Sequence, residues 1–300
     1  MQRPETVVTD TSAAAALPVP FVDTPVSARR RWDVGLVVAV AWIAVVGGAA
    51  LLANVLPIDD PLELDPDATR TGPSREHFLG ADQLGRDLLA QIVHGARVSL
   101  LVGLAATGVA VLVGGSMGLV AGFLRGRVET LIMAVVDIML SIPALILAIA
   151  LTAFLGASLR NIILAIAILA VPAFARVSRA QTLSVSEREF VRAARSLGAG
   201  RARIVALEVT PNVAPSVLSY GLVIVAVAIV VEGALSFLGL GVPPPRPTWG
   251  GMIAAGKNDL SSSPHISLIP AGVMFLTILS LNVVGEKLAR RFDVKRERVA

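Results

Sequence analysis

Six long apolar runs constrain this chain more than any other feature of its sequence. Val34 to Leu56 is 23 residues without a charge, about 34 Å of helix at 1.5 Å per residue and enough to cross a hydrocarbon core of roughly 30 Å. Ser99 to Phe123 is equally free of charge, and Val128 to Phe154 carries only Glu129 at its start and Asp137 inside, with Pro143 near the middle. Asn161 to Ala175 is shorter but continues a helical pattern toward Gln181. Val213 to Val231 is almost pure Val, Ile, Leu and Ala, and Ile266 to Val284 closes the set with Pro270 in its first turn, where proline is tolerated. The runs predict an all-α polytopic membrane protein with six transmembrane helices. Composition agrees: 55% of the residues are hydrophobic and 16% charged, against about 25% charged in soluble domains. Disorder, a collagen-like repeat and a lone DNA-binding domain are excluded.

Orientation follows from where the basic residues fall. With both termini placed in the cytoplasm, that side collects 19 of the 26 lysines and arginines and the outside receives 7, a strong positive-inside bias. The first outside loop holds eight acids: Asp59, Asp60, Glu63, Asp65, Asp67, Glu76, Asp82 and Asp87. The basic isoelectric point is therefore a signal of topology, and nucleic acid is not an expected partner. The implied organisation is a cytoplasmic and disordered tail over 1–33, a first helix over 34–56 and an external loop over 57–98. A five-helix core follows over 99–285, then a basic cytoplasmic tail over 286–300. Arg29, Arg30 and Arg31 precede a run too long for a secretory signal, so the first span reads as an anchor. The absence of cysteine removes disulfides, thiolate metal sites and S-acyl anchors.

The cytoplasmic stretch between spans four and five carries the most information. Ser186 with Glu189 three residues on reads as a capping box that starts a helix, and Gly198 stands where a helix C-terminus wants glycine. Between them Phe190, Ala193, Ala194 and Leu197 fall at i, i+3, i+4 and i+7, an apolar stripe. Arg188, Arg192 and Arg195 line another face. Such a helix can lie on lipid headgroups or insert into the groove of a partner.

Ala193-Ala194, Gly198 and then Pro211-Asn212 resemble the EAA loop of permease subunits of ATP-driven importers. Arg192 stands at that motif's glutamate, Glu208 at its isoleucine and Thr210 at its leucine. His77 to Asp87, running on through Gly95-Ala96-Arg97-Val98-Ser99-Leu100, looks like the segment before span two in dipeptide, oligopeptide and nickel permeases, with Ala81 where threonine is usual. Glu232 to Gly241, followed by Thr248-Trp249-Gly250, resembles that family's signature after span five. The likeness covers roughly residues 75–285 and is greatest to the second, C-type permease of the pair. It implies a type I importer permease fold that pairs with a second homologous permease. Its implied partners are ATP-binding subunits, which hold ATP and magnesium, an extracytoplasmic solute-binding protein, and membrane lipid. A coupling loop over about 184–212 would engage the ATP-binding subunits through Glu189, Phe190, Ala193, Ala194, Arg195, Leu197, Gly198 and Pro211. Peptide is the expected cargo on family breadth, with glutathione, nickel or another small solute as alternatives.

Several residues inside the spans have two readings. Asp137 is a path or gate candidate or a packing partner of Ser141 or an arginine, and Pro143 kinks the same span. Glu232, with Ser236, rims a gate or ties down the loop that follows. The glycine- and proline-rich stretch Gly239–Gly251 shapes the mouth of a path or is a surface turn. Gly114, Gly118 and Gly122 recur every four residues and predict close helix packing. Gly251 to Asn258 is a false phosphate loop, because Asn258 offers no hydroxyl for magnesium and no strand precedes it. No catalytic residue, cofactor or metal site is expected on this chain: His77, His94 and His265 lie far apart in sequence and no nucleophile motif is present. The rival from another class is an ion-coupled transporter that uses Asp137 and Glu232 as proton sites. It is disfavoured by the lack of an internal repeat.

Overall fold

The computed structural model describes residues 34–297, with side chains as far as Arg291. The tail over 1–33, with its arginine triplet, lies outside the described residues. Helix α1 is Val34–Leu52, α2 is Leu88–Leu124 and α3 is Gly126–Ser141. They are followed by α4, Ala144–Leu155, α5, Leu159–Ser186, and α6, Glu189–Ser196. Helix α7 is Arg201–Phe237, α8 is Trp249–Gly256 and α9 is His265–Glu297. No strand longer than a single bridge occurs among the described residues.

Five helices are long and apolar enough to span a bilayer, and α3 with α4 makes a sixth only as a pair bent by 87°. The break has a chemical cause. Pro143 has no N–H to continue α3 and pushes Ile142 out of helical geometry, to ψ 126°. The kink expected at Pro143 is an elbow that divides the span into two helices.

Other boundaries also moved. Helix α2 starts at Leu88 instead of Ser99, because the Asp87 carboxylate accepts from the Ala90 N–H at 2.7 Å and caps it. Residues 88–98, expected in the external loop, are therefore helical. At the other end α9 continues through most of the stretch read as a C-terminal tail, to Glu297.

Packing divides into layers along the bundle. Val171, Phe174, Val185, Val191, Ile204, Val209 and Val213 form one buried cluster that joins α5, α6 and α7. Val102, Ala106, Ile162, Ile166, Ala228 and Leu235 form a second between α2, α5 and α7. Trp249, fully buried, anchors a third with Ala96, Ile229 and Leu281. Gly114, Gly118 and Gly122 do form a close-packed face: a Cβ on Gly122 would lie 2.8 Å from the Arg179 carbonyl oxygen, and the other two would collide with the carbonyls of Val171 and Ala175. The backbones of α2 and α5 meet here with no room for side chains. Helix α1 is held mainly against α9, where the Trp42 indole N–H donates to Thr277 Oγ1 at 3.0 Å.

Candidate functional site

Helix α6 is where the sequence reading and the structure differ most usefully. The Ser186 capping box does not form. Ser186 is the last residue of α5, its hydroxyl is buried without a hydrogen-bond partner, and Arg188 occupies the cap position of α6 with no side-chain bond. The chain turns from α5 into α6 within Glu187 and Arg188, too tightly for a serine at 186 to reach forward. The end of α6 is as expected: Gly198 adopts φ +81°, its N–H bonds to the Arg195 carbonyl at 3.0 Å, and Ala199 N–H bonds to Ala194 at 3.1 Å.

The apolar stripe splits into two faces. Val191 is fully buried in the cluster with Phe174, Val185 and Ile204, and Ala194 packs half-buried against it. Phe190, Ala193 and Leu197 point outward, and Leu197 is 88% exposed. Arg192 and Arg195 are exposed beside them, and with Arg125, Glu187 and Phe123 they border a notch of about 510 Å³. Ala194 therefore serves the fold and Ala193 the surface. Pro211, read as the end of a loop, lies well inside α7. A wider, π-type turn at Val205–Val209 precedes it, and Asn212 Nδ2 donates to the Glu208 carbonyl at 2.7 Å.

Charged residues tie α5 to α3 and to the turn that precedes it. Arg176 Nη2 donates to Asp137 Oδ1 at 2.7 Å, Arg179 Nε to Glu129 at 2.6 Å, and Arg125 Nη2 to Glu187 at 2.8 Å. Of the two partners considered for Asp137, the arginine is found; Ser141 Oγ donates to the Ile138 carbonyl instead. Glu232 is fully buried and accepts from Ser236 Oγ at 2.8 Å and Thr248 Oγ1 at 2.9 Å. Thr248 also caps α8 by accepting from Gly251 N–H, so this carboxylate ties α7 to α8. Trp249 completes the joint with its indole N–H on the Ile92 carbonyl.

Outside the bundle the acidic segment before α2 folds into a hydrogen-bonded knot. Asp82 accepts from Arg86 Nε at 2.8 Å, Gln91 Nε2 at 2.9 Å and the backbone N–H groups of Leu84 and Arg86. Burial alone would raise its carboxyl; those donors outweigh it and hold the pKa below the usual value. Gln83 and Arg70 reach Asp259 and bind the knot to the segment after α8. His77 Nδ1 lies 3.0 Å from Asp87 Oδ2, and this hydrogen bond raises the imidazole pKa against the lowering effect of burial, with Asp65 adding to the rise. Asp59, His77 and Asp87 bring three possible metal-ligand atoms within 4.8 Å of one another, a proximity hidden by their sequence spacing.

The His77–Asp87 bond has a pH consequence. A raised folded-state pKa means the stabilisation is complete below the unfolded value near 6.5 and is lost as pH rises through the folded value. The thermal midpoint of the purified protein should therefore fall from mildly acidic to mildly alkaline pH. In His77→Gln that component should vanish, and an unchanged slope would show that the bond contributes nothing.

A bundle of long apolar helices with one bent pair and a short projecting helix defines a polytopic membrane protein. Residues 114–296 match the family described as the binding-protein-dependent transport system inner membrane component, and the chain belongs to that family. It is 35% identical to the glutathione transport system permease protein GsiD of Pectobacterium atrosepticum, over 80% of either chain. It is 37% identical to the dipeptide transport system permease protein DppC of Alkalihalophilus pseudofirmus, over 87% of this chain and 85% of that one. The fold also matches a chain of the inward-facing MetNI methionine ABC transporter, with TM-score 0.57 and 16% identity over 67% of this chain and 96% of the other. The chain is thus a permease subunit of the ABC importer class, set in the membrane by multiple spans.

Proposed function

We propose that this chain is one permease of an ATP-driven importer of short peptides. The observation that carries the reading is the 35–37% identity, over most of both chains, to permeases named for glutathione and for dipeptides; glutathione is itself a short peptide. The chain forms the translocation path with a second homologous permease, and both termini lie in the cytoplasm, in keeping with the basic-residue bias. An extracytoplasmic binding protein delivers the peptide. ATP and magnesium belong to the ATP-binding subunits, and this chain contributes no catalytic group.

Helix α6 is the element on which the ATP-binding subunits act. Because Val191 shares a buried cluster with α5 and α7, a displacement of α6 carries the ends of both spans with it. For ATP to do work, the partner must hold α6 differently in its two states, since coupling is a difference in binding free energy. The ion-coupled alternative has less support: Asp137 is paired with Arg176, and Glu232 is buried where it ties α7 to α8.

The test is to tag the C-terminus, extract the chain gently from its native membrane, and identify its companions by mass spectrometry. A second permease, chains with intact phosphate loops and a binding protein loaded with peptide are the expected result. A chain that purifies alone, or with a binding protein carrying a metal ion, would overturn the class or the cargo respectively.

A further inference from the structure

The Asp137–Arg176 pair sits deep in the bundle. Asp137 is about 16 Å along α3 from Gly126, and Arg176 about 25 Å along α5 from Leu159, so the pair lies within the length of both helices and toward the α6 end of α5. Yet the two side chains are 62% and 56% exposed. Charges at this depth face water or protein, because lipid solvates neither.

The elbow makes the same demand independently. Ile142 and Pro143 are extended, Pro143 offers α4 no side-chain cap, and residues 141–146 are all exposed. The first N–H groups of α4 therefore need polar surroundings as well. Between α4, α5 and α7 runs an apolar groove of about 350 Å³ lined by Ala144, Leu145, Ala170, Ala173, Ile224 and Val227. Ala173 precedes Arg176 by one helical turn on α5, and Ala144 opens α4 just across the break from Ser141.

We propose that Asp137, Arg176 and this groove form a transit subsite for a short zwitterionic peptide. Asp137 faces the peptide ammonium, Arg176 its carboxylate, and the groove takes one apolar side chain. A singly charged cargo that took one member of the pair would leave the other unmatched, and a neutral one would leave the pair closed, whereas a zwitterion exchanges one ion pair for two. The proposal rests on the peptide-importer reading.

The natural absence of cysteine allows a direct test. In the assembled complex with its binding protein, reconstituted in proteoliposomes, Ala173→Cys should react with a membrane-impermeant methanethiosulfonate, and a transported dipeptide should slow that reaction several-fold. No reaction in any nucleotide state would mean that the second permease or lipid covers the groove, and would overturn the proposal. Reaction without protection by peptide would overturn it as well, leaving only a wet path.

Uptake by Asp137→Asn and Arg176→Gln should then be compared for dipeptides with free termini, N-acetylated and C-amidated. Asp137→Asn should lower uptake of the free dipeptide roughly tenfold or more, the scale of one lost hydrogen bond to a charge. It should have little further effect on the N-acetylated one; Arg176→Gln should show the converse pattern with the amide. A purely structural pair would lower all three equally. If the wild-type complex takes up none of them while hydrolysing ATP with its binding protein, the peptide reading itself falls, an outcome distinct from equal losses in the variants.

Discussion

Leu197→Glu should reduce ATP-driven uptake by more than about tenfold while leaving the chain as stable as before. Leu197 is 88% exposed at the end of α6 and touches no buried cluster, so its replacement removes no internal packing and should shift stability by less than about 0.5 kcal/mol. On the proposed reading of α6 it is the apolar knob of the surface that the ATP-binding subunits would cover. Burying a leucine contributes about 1.5–3 kcal/mol, and forcing an unpaired carboxylate into the same contact costs more. Either term alone corresponds to at least about a tenfold weaker association. The measurements are the yield of ATP-binding subunits on a tagged permease and the thermal midpoint of the chain alone. Wild-type uptake in this variant would remove α6 from the coupling interface. Ala194→Glu is the contrasting case: it places a charge against Val191 and its neighbours, so its loss of uptake should come with loss of the folded chain.

Gly118→Leu should prevent the bundle from closing. A Cβ there would strike the Ala175 carbonyl oxygen and lie 2.7 Å from the Arg179 nitrogen, both backbone atoms of α5. Neither can retreat without parting two spans that pack along Gly114, Gly118 and Gly122. Overpacking a core costs about 1–3 kcal/mol where side chains can yield; here backbone must move, so about 3 kcal/mol or more is expected. Detergent-extracted protein should show a lowered thermal midpoint or fail to accumulate. Gly108, with nothing within 4 Å of its would-be Cβ, provides the control. Gly108→Ala should be neutral or stabilising by up to about 1 kcal/mol, and equal damage at both positions would show that α2 does not meet α5 closely.

The fate of particular residues shows which information was local. The cap at Gly198 and the break at Pro143 were legible because each depends on one residue's backbone chemistry. The small-residue face on α2 was legible because a period of four is a helix face wherever the helix goes. Ser186 failed as a cap because α5 continued through it, with Val185 buried in a cluster that includes residues of α6 and α7. The stripe on α6 was correct in composition but not in direction: spacing cannot tell which half of an apolar arc turns inward. Val191, at the centre of the buried half, carried no signal of its own. An arginine was foreseen as a partner of Asp137, but not which one, since Arg176 lies on another helix.

By itself the sequence determined that the chain is helical, how many times it can cross a bilayer and where the crossings are interrupted. Those properties arise from hydrophobicity and backbone geometry summed over neighbours in the chain. Only the tertiary structure decided which charges meet, which face of α6 is free and which glycines touch backbone. Those are contacts between helices distant in sequence, where a shift of one residue in helix register turns a buried group to the surface.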